Sequence, residues 1–163
     1  MYRKNYMRKL FLSLIFINQI FSVPFAQCFT HASKVYFVPE EILIAIASVE
    51  SNYNQNSINY NKNGSYDIGV MQINSGWFIE LKKYNISRNM LFNPCQNIMI
   101  GAWILEQNIK KYGFNWTAIQ HYNGTDTQQK YANKVYKKLS TMYPTLTQNN
   151  DNLNNKNTFL LIK

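Results

Sequence analysis

The feature that most constrains this chain is an apolar segment with helical periodicity that ends in a glutamate. Pro39 suits the first position of a helix, and the two glutamates after it complement the positive end of the helix dipole. The apolar residues then recur at the i, i+3, i+4, i+7 spacing of one helix face, which holds Leu43, Ile46 and Ala47. Glu50 continues this face. A carboxylate is not expected on an apolar stripe, so Glu50 is a candidate functional residue.

A polar insertion follows this predicted helix. Residues 52–67 are rich in Asn, Tyr and Ser and contain an Asn-Gly turn signal, which indicates a functional loop or a small β-hairpin. Further helices are predicted at 76–84, 94–112, 116–119 and 126–139. Their predicted caps are, in order, Ser75, Asn93, Asn115 and Thr125. The 163 residues allow one domain with a core, and few glycines (6) and prolines (4) favour helices. We therefore predict an all-α domain of about five helices with one polar insertion.

The N-terminal segment is typical of a secretory signal peptide. Four basic residues lie among the first nine, the apolar segment 10–23 follows, and Ala26 is a small residue suited to cleavage. An uncleaved membrane anchor is the alternative, but the apolar run is short and carries polar interruptions. We predict a signal peptide at 1–26, one domain at 27–144 and a disordered, Asn-rich tail at 145–163. The mature protein is then expected in the periplasm, without a stable membrane span.

Net charge and cysteine content limit the classes of binding partner and the cellular compartment that the sequence predicts. The formal net charge is +9, and four of these charges lie in the predicted signal peptide, which leaves 9 − 4 = +5 for the mature chain. A modest positive charge suits an acidic polymer such as a cell wall. Nucleic acid is the competing partner for a basic chain, but predicted export and the lack of a dense Lys/Arg patch in the folded region argue against it. Cys28 and Cys95 both follow the predicted signal peptide, and two cysteines in an exported chain predict one disulfide. Two free buried thiols are the alternative.

Among the carboxylates of the predicted mature chain, only Glu50 and Asp67 lack an ordinary explanation as helix-start, tail or solvated residues. A carboxyl group against apolar side chains favours its neutral form, because desolvation penalises the charge. A general acid needs that neutral form near neutral pH, and protonating a glycosidic oxygen is one task for it. The alternative is that Glu50 turns outward at the helix end or pairs with a lysine.

Three short motifs occur in order along the chain, at 49–51 (Val-Glu-Ser), 69–74 (Gly-Val-Met-Gln-Ile-Asn) and 122–124 (Tyr-Asn-Gly). Together they resemble the Glu-Ser, Gly-Leu-Met-Gln and Tyr-Asn motifs of lytic transglycosylases, which have a lysozyme-like fold. Two further segments, 63–69 and 93–98, are similar to small specialised members that serve type III and type IV secretion or conjugation. The resemblance covers about residues 28–140 and is specific because all three motifs appear at fitting spacing.

The resemblance implies a role for each matching residue. Glu50 would be the sole catalytic acid and base. The substrate-binding set would be Ser51 at the helix end, Met71 and Gln72 beside the acid, and Tyr122 and Asn123, which position the N-acetyl sugar and the acid. Ordinary core packing is as good an explanation for Met71, and a capped helix end could account for the Tyr-Asn pair.

Two positions depart from the family pattern. Val70 replaces the usual leucine, which we expect to be harmless, and His121 stands where alanine is common. His121 could touch substrate, although a solvated position is the preferred interpretation. We interpret the three tryptophans, Trp77, Trp103 and Trp116, as core residues in preference to sugar platforms.

The activity implied by the resemblance is non-hydrolytic cleavage of the β-1,4 bond between N-acetylmuramic acid and N-acetylglucosamine, with a 1,6-anhydro product. It needs no metal or cofactor, and the sequence offers no metal-ligand cluster. The expected partners are peptidoglycan strands and components of a secretion apparatus, with the protein itself a monomer. A hydrolytic lysozyme that uses Glu50 and Asp67 is one alternative, although we expect Asp67 to bond to its own backbone. A non-catalytic wall-binding assembly protein is another.

Overall fold

The structure, a computed structural model, describes residues 23–124 and 128–148. These residues form helices α1 (Ala26–Tyr36), α2 (Glu40–Ser51), α3 (Phe78–Lys82), α4 (Pro94–Tyr112), α5 (Trp116–Gln120), α6 (Lys130–Met142) and α7 (Pro144–Gln148), and strands β1 (Ile58–Tyr60), β2 (Tyr66–Ile68) and β3 (Ile73–Asn74). Three 3-10 turns lie at Ser75–Trp77, Arg88–Phe92 and His121–Asn123. This confirms the predicted helical domain with a small inserted sheet. In the part of the chain so described, no helix is both long and apolar enough to cross a membrane.

Helix α2 lies at the centre of the core, and its last turn carries Glu50. Every residue from Ile42 to Ser48 is buried, because α1 and α6 pack against it and α4 also contacts it. A helix that is apolar on nearly all sides is stable only when it is buried in this way. Each buried Ile or Leu contributes about 1.5–3 kcal/mol relative to an exposed position. The core therefore fixes the end of α2, and with it the position of Glu50.

Helix α1 was not predicted from the sequence. Its N-cap, Phe25, makes no side-chain cap hydrogen bond, so no local start signal marks it. Instead α1 buries Phe29 and Ala32 and packs along α4, to which the predicted disulfide between Cys28 and Cys95 joins it. The helix is thus stabilised by tertiary contacts. Residues 1–22 of the predicted signal peptide lie outside the described residues.

The predicted caps of two helices are confirmed. The Asn93 side chain accepts a hydrogen bond from the Gln96 N–H, with proline at the first position of α4, and Asn115 caps α5. The last long helix begins later than predicted, at Lys130, and the proposed cap Thr125 lies outside the described residues.

The chain after α6 also differs from the prediction. Pro144, predicted to end the domain, begins the short helix α7, because a proline is already set for the first helical position. Four residues predicted to belong to the disordered tail, 145–148, therefore lie in α7. The remainder of the predicted tail, 149–163, lies outside the described residues.

The polar insertion is an antiparallel sheet with the strand order β1-β2-β3. The loop between β1 and β2 turns at Gly64, whose φ of 83° lies in the left-handed region that glycine adopts readily. Asp67 on β2 pairs with Asn59 on β1 and with Asn74 on β3. This register surrounds Asp67 with asparagines. The third strand, β3, was not predicted.

Candidate active site

A polar groove of about 870 Å³ runs between the sheet and the helices, with Glu50 in its wall. The α2 end and the sheet contribute one side of its lining, and α4 and the 3-10 turn after α5 contribute the other. Half of the lining residues are asparagine, serine and glutamine, and its two carboxylates are Glu50 and Asp67. A groove of this composition suits a ligand with many hydroxyl and amide groups, such as a glycan.

The carboxyl group of Glu50 is largely buried at the end of α2 and accepts a hydrogen bond from the Tyr131 hydroxyl, 2.5 Å from its Oε1. Burial raises the pKa of Glu50 from its ordinary 4.5 to about 7, with a further upward contribution from the charge of Asp67. Hydrogen bonds from Tyr131 and Asn123 and the charge of Lys134 act in the opposite direction. Desolvation dominates, so Glu50 can be protonated near neutral pH.

Two tyrosines form a wall behind Glu50. The rings of Tyr122 and Tyr131 stack with centroids 6.4 Å apart, and the Tyr122 hydroxyl donates to the Met71 carbonyl oxygen at 2.9 Å. Burial, reinforced by the charge of Glu50, holds the pKa of both phenols well above their usual range. Both hydroxyls therefore remain donors at neutral pH. The sequence predicted a helix that contains Tyr131, but no functional role for this residue.

The turn that follows β2 is held by a buried asparagine on α4. Asn97 is fully buried; its Nδ2 donates to the carbonyl oxygens of Ile68 and Leu91, each at 2.9 Å, and its Oδ1 accepts from the Met71 N–H at 2.7 Å. At Gly69, with φ of 82°, a Cβ atom would lie 2.4 Å from Asn97 Nδ2. Asn97 and Gly69 together thus set the path of the second sequence motif.

Helix α4 also approaches the tyrosine wall closely at Gly101. A Cβ atom there would lie 2.8 Å from both the Met71 Cβ and the Tyr122 hydroxyl oxygen. Gly101 therefore provides the space for the hydrogen bond between the Tyr122 hydroxyl and the Met71 carbonyl oxygen.

Two residues of the predicted substrate-binding set do not line the groove. The Met71 side chain is fully buried in the core, so it packs against α4 and cannot touch a ligand there. Ser51 donates from Oγ to the Val70 carbonyl oxygen at 2.8 Å, which joins the end of α2 to the turn after β2. Ser51 thus matches the helix-end support that the resemblance implied, but not a substrate contact.

The other three predicted residues, Gln72, Tyr122 and Asn123, line the groove with Glu50. Gln72 has a left-handed backbone with φ of 48°, and its Nε2 donates to the Gly69 carbonyl oxygen at 2.9 Å. Asn123 hydrogen bonds to Glu50, and the Tyr122 hydroxyl donates to the Met71 carbonyl oxygen. The structure therefore brings the second and third sequence motifs to the predicted acid.

Asp67 also lines the groove, and the expectation that it bonds to its own backbone is wrong. Its Oδ1 accepts from Asn74 Nδ2 at 2.6 Å and its Oδ2 from Asn61 Nδ2 at 2.9 Å. The groove thus holds one buried carboxyl beside a carboxylate whose two oxygens are both hydrogen bonded by amides.

Two aromatic residues line the groove against expectation. Trp77 was predicted to lie in the core, and His121 was predicted to be solvated. Trp77 is half-buried, packs edge-on against Trp103 at 5.3 Å and contributes its free surface to the groove. His121 stacks on Tyr112 with centroids 3.9 Å apart and an interplanar angle of 6°. Because both residues lie in short 3-10 turns, sequence periodicity could not show which edge of each ring remains open. Within the described ranges, no group of three or more His, Cys, Asp or Glu residues could hold a metal ion.

A buried acid in a polar groove, carried by a mostly helical domain, is the arrangement expected of a lysozyme-like glycan-cleaving protein. The transglycosylase SLT domain model matches residues 27–143. The chain therefore belongs to the transglycosylase SLT family, and it is a peptidoglycan lytic transglycosylase.

Curated relatives and a solved structure agree with this family. The invasion protein IagB of Salmonella typhi is 37% identical over 146 residues, which cover 83% of this chain and 91% of that protein. The protein IpgF of Shigella flexneri is 34% identical over 150 residues, which cover 88% and 97%. The fold is similar to that of an inactive mutant of the lytic transglycosylase Slt from Pseudomonas aeruginosa, with a TM-score of 0.63 at 19% identity, over 78% of this chain and 25% of that one.

Proposed function

We propose that this chain cleaves the β-1,4 bond from N-acetylmuramic acid to N-acetylglucosamine and leaves a 1,6-anhydromuramoyl end, with Glu50 as the only residue that transfers protons. The observation that carries the proposal is the environment of Glu50. Its pKa of about 7 means that a neutral-pH population holds the proton that the leaving oxygen needs. Hydrogen bonds from Tyr131 and Asn123 then stabilise the carboxylate that forms.

The reaction proceeds in two steps. Glu50 first donates its proton to the glycosidic oxygen, the bond from that oxygen to C1 breaks, and the acetamido oxygen of the muramoyl residue bonds to C1. The Glu50 carboxylate then removes the proton of the 6-hydroxyl, whose oxygen displaces the acetamido oxygen from C1 and closes the anhydro ring. Glu50 ends protonated, so the cycle balances. The 6-hydroxyl belongs to the same sugar and is therefore present at high effective concentration.

Asp67 favours a second candidate reaction, hydrolysis. Its carboxylate lines the same groove as Glu50 and is held by Asn61 and Asn74. A glutamic acid with a raised pKa and a nearby hydrogen-bonded aspartate form the kind of pair by which lysozyme hydrolyses glycans with water. In the transglycosylase reaction the same charge would stabilise the positive charge that develops at C1.

Mass analysis of digested sacculi tests both candidates. We expect products that end in 1,6-anhydromuramic acid. Glu50→Gln should not digest the wall, although its melting temperature should be no lower than that of the wild type. Asp67→Asn should keep the anhydro products at a reduced rate, because an amide cannot accept bonds at both of its ends from Asn61 and Asn74. Reducing ends that are heavier by one water, with an inactive Asp67→Asn variant, would instead establish a hydrolytic lysozyme. Digestion by Glu50→Gln at the wild-type rate would exclude Glu50 as the acid.

We further propose that the protein acts in the periplasm and opens the wall locally for a secretion or conjugation apparatus. The support is the subgroup resemblance of segments 63–69 and 93–98 and the similarity to the invasion protein IagB. A strain without the gene should lose secretion or transfer, with recovery by the wild-type chain but not by Glu50→Gln. Recovery by that variant would show an assembly role without catalysis.

A further inference from the structure

The exposed face of helix α6 carries a row of lysines. Lys130, Lys134 and Lys137 recur at the i, i+4, i+7 spacing of one helix face, and all three side chains are exposed. The other side of the helix, which includes Val135 and Leu139, is buried in the core. Like charges at this spacing repel one another and weaken a helix, so the row needs an explanation outside the core.

No acidic side chain near this row in sequence compensates its charge. Residues 127–150 contain four lysines and no carboxylate. Within the described ranges, the α6 lysines form no salt bridge, and the charge of Lys134 acts on Glu50 without a direct pair. The row is also separate from the catalytic groove, because no residue of α6 lines it. The face is therefore a positive surface that the glycan-cleaving site does not use.

Aromatic rings lie beside the lysine row. Tyr136 on α6 packs edge-on against Trp116, with ring centroids 5.3 Å apart, and both residues are half-buried. Phe114, two positions before Trp116, is 38% exposed. Aromatic side chains with a polar tip, together with lysines, are typical of the boundary between lipid headgroups and water.

The C-terminal sequence adds an apolar segment that can reach this face. Residues 149–157 are polar apart from Leu153, whereas residues 159–162 (Phe-Leu-Leu-Ile) are apolar and lie between Lys156 and Lys163. Four apolar residues cannot span a bilayer, but they can enter its headgroup region. The spacer 149–157 reaches at most about 30 Å, and it follows α7, which packs on α6.

We propose that the lysine face of α6 and residues 159–162 together bind the surface of an anionic phospholipid bilayer. Each lysine near such a surface strengthens binding roughly fivefold by electrostatic attraction. The apolar segment distinguishes a bilayer from a wall polymer, which has no apolar interior to receive it. Two weak signals of this kind together give stable membrane attachment, where one alone gives only marginal binding.

Attachment of this kind is compatible with catalysis and independent of its chemistry. Because no α6 residue lines the groove, a bilayer against the lysine face leaves the groove open to a glycan strand. The enzyme would then act on wall next to the membrane, whatever products it leaves. The inference thus goes beyond the proposed function and can fail without it.

Vesicle sedimentation tests the lysine face with matched pairs of variants. Protein exported from an expressing strain is sedimented with phosphatidylcholine vesicles, with and without about one-third phosphatidylglycerol. Lys130→Gln with Lys137→Gln should weaken binding to the anionic vesicles about 25-fold. The control pair, Lys34→Gln with Lys82→Gln, removes the same charge from α1 and α3 and should weaken binding less than about threefold. Lys134 is left in place because its charge acts on Glu50.

The apolar segment and the electrostatic attraction are tested separately. Phe159→Ser with Leu161→Ser keeps the net charge and should weaken binding about tenfold. About 0.5 M salt should release the wild-type protein from the anionic vesicles, because it screens the lysines. The N-terminal segment is common to all variants, so its contribution to binding cancels in these comparisons.

The outcomes distinguish the bilayer from other partners. Equal weakening by both lysine pairs, or wild-type protein that does not sediment with anionic vesicles, would overturn the proposed face. Unchanged binding of Phe159→Ser with Leu161→Ser would overturn the role of the tail. Weaker binding to sacculi but not to vesicles by Lys130→Gln with Lys137→Gln would assign the row to the wall instead. That variant should digest soluble glycan strands at the wild-type rate, so loss of membrane binding and loss of lytic activity are separate results.

Discussion

The sharpest quantitative prediction is that Glu50 destabilises the folded protein at alkaline pH. Its pKa in the folded chain is about 7, against an ordinary value of 4.5. The folded state therefore holds the Glu50 proton more tightly than the unfolded state. The stability that this carboxyl group contributes is complete below pH 4.5 and is lost as the pH rises through 7. A shift of this size corresponds to about 3 kcal/mol.

Glu50→Gln measures this cost, because glutamine keeps the shape and an acceptor for Tyr131 but does not titrate. Urea unfolding of both proteins at pH 4 and pH 9 gives the free energy of unfolding at each pH. The other titrating groups are common to both proteins and cancel in the difference. We expect the variant to gain about 3 kcal/mol relative to wild type between the two pH values.

A pH-independent difference between the two proteins would refute this reasoning. A change below about 0.5 kcal/mol would mean that Glu50 titrates as a solvated carboxyl group. Its burial would then not explain how it holds a proton near neutral pH. The m-values of the two proteins should agree, since an altered m-value would indicate a change in the denatured state.

Three further predictions concern the groups around Glu50 and the core. Tyr131→Phe removes a hydrogen bond that lowers the pKa of Glu50, so the alkaline limb of the pH–rate profile should move to higher pH; an unmoved limb would contradict the role of Tyr131. Asn97→Ala leaves three backbone groups of the turn unpaired and should lower the free energy of unfolding by at least about 3 kcal/mol, measured in urea; a loss below about 1 kcal/mol would contradict it. The disulfide of Cys28 and Cys95 spans 67 residues, so its reduction should cost about 4 kcal/mol in the chain-entropy model, and free thiols in exported protein would contradict the bridge.

The parts of the fold that the sequence predicts are those with a local cause. The Asn93 and Asn115 side chains cap N–H groups within three residues of themselves, so both helix starts can be recognised from the local sequence. The burial of α2 follows from its composition. By contrast, α1 lacks a capping signal, and its helix is stabilised by packing and by a bond to a residue 67 positions away.

The residues of the site likewise fall into those that local sequence reveals and those that only the fold brings together. Glu50 could be recognised because a carboxylate on an apolar stripe contradicts its local surroundings. Tyr131 could not, since a tyrosine on an amphipathic helix is ordinary, and its hydrogen bond to Glu50 joins residues 81 positions apart. Met71 was assigned to the groove because it lies in the motif, yet the motif places its backbone oxygen and not its side chain at the site.

The backbone role of Met71 indicates what the second motif, residues 69–74, does for the site. Its residues contribute mainly backbone groups. The carbonyl oxygens of Met71 and Val70 accept hydrogen bonds from the hydroxyls of Tyr122 and Ser51, respectively. The Met71 N–H donates to Oδ1 of Asn97. The turn thus connects the end of α2, the buried asparagine of α4 and the tyrosine wall. A substitution that moves this turn would shift the groups around Glu50 without touching the acid. Its effect should appear in rate and stability together, whereas a change at Glu50 itself separates the two.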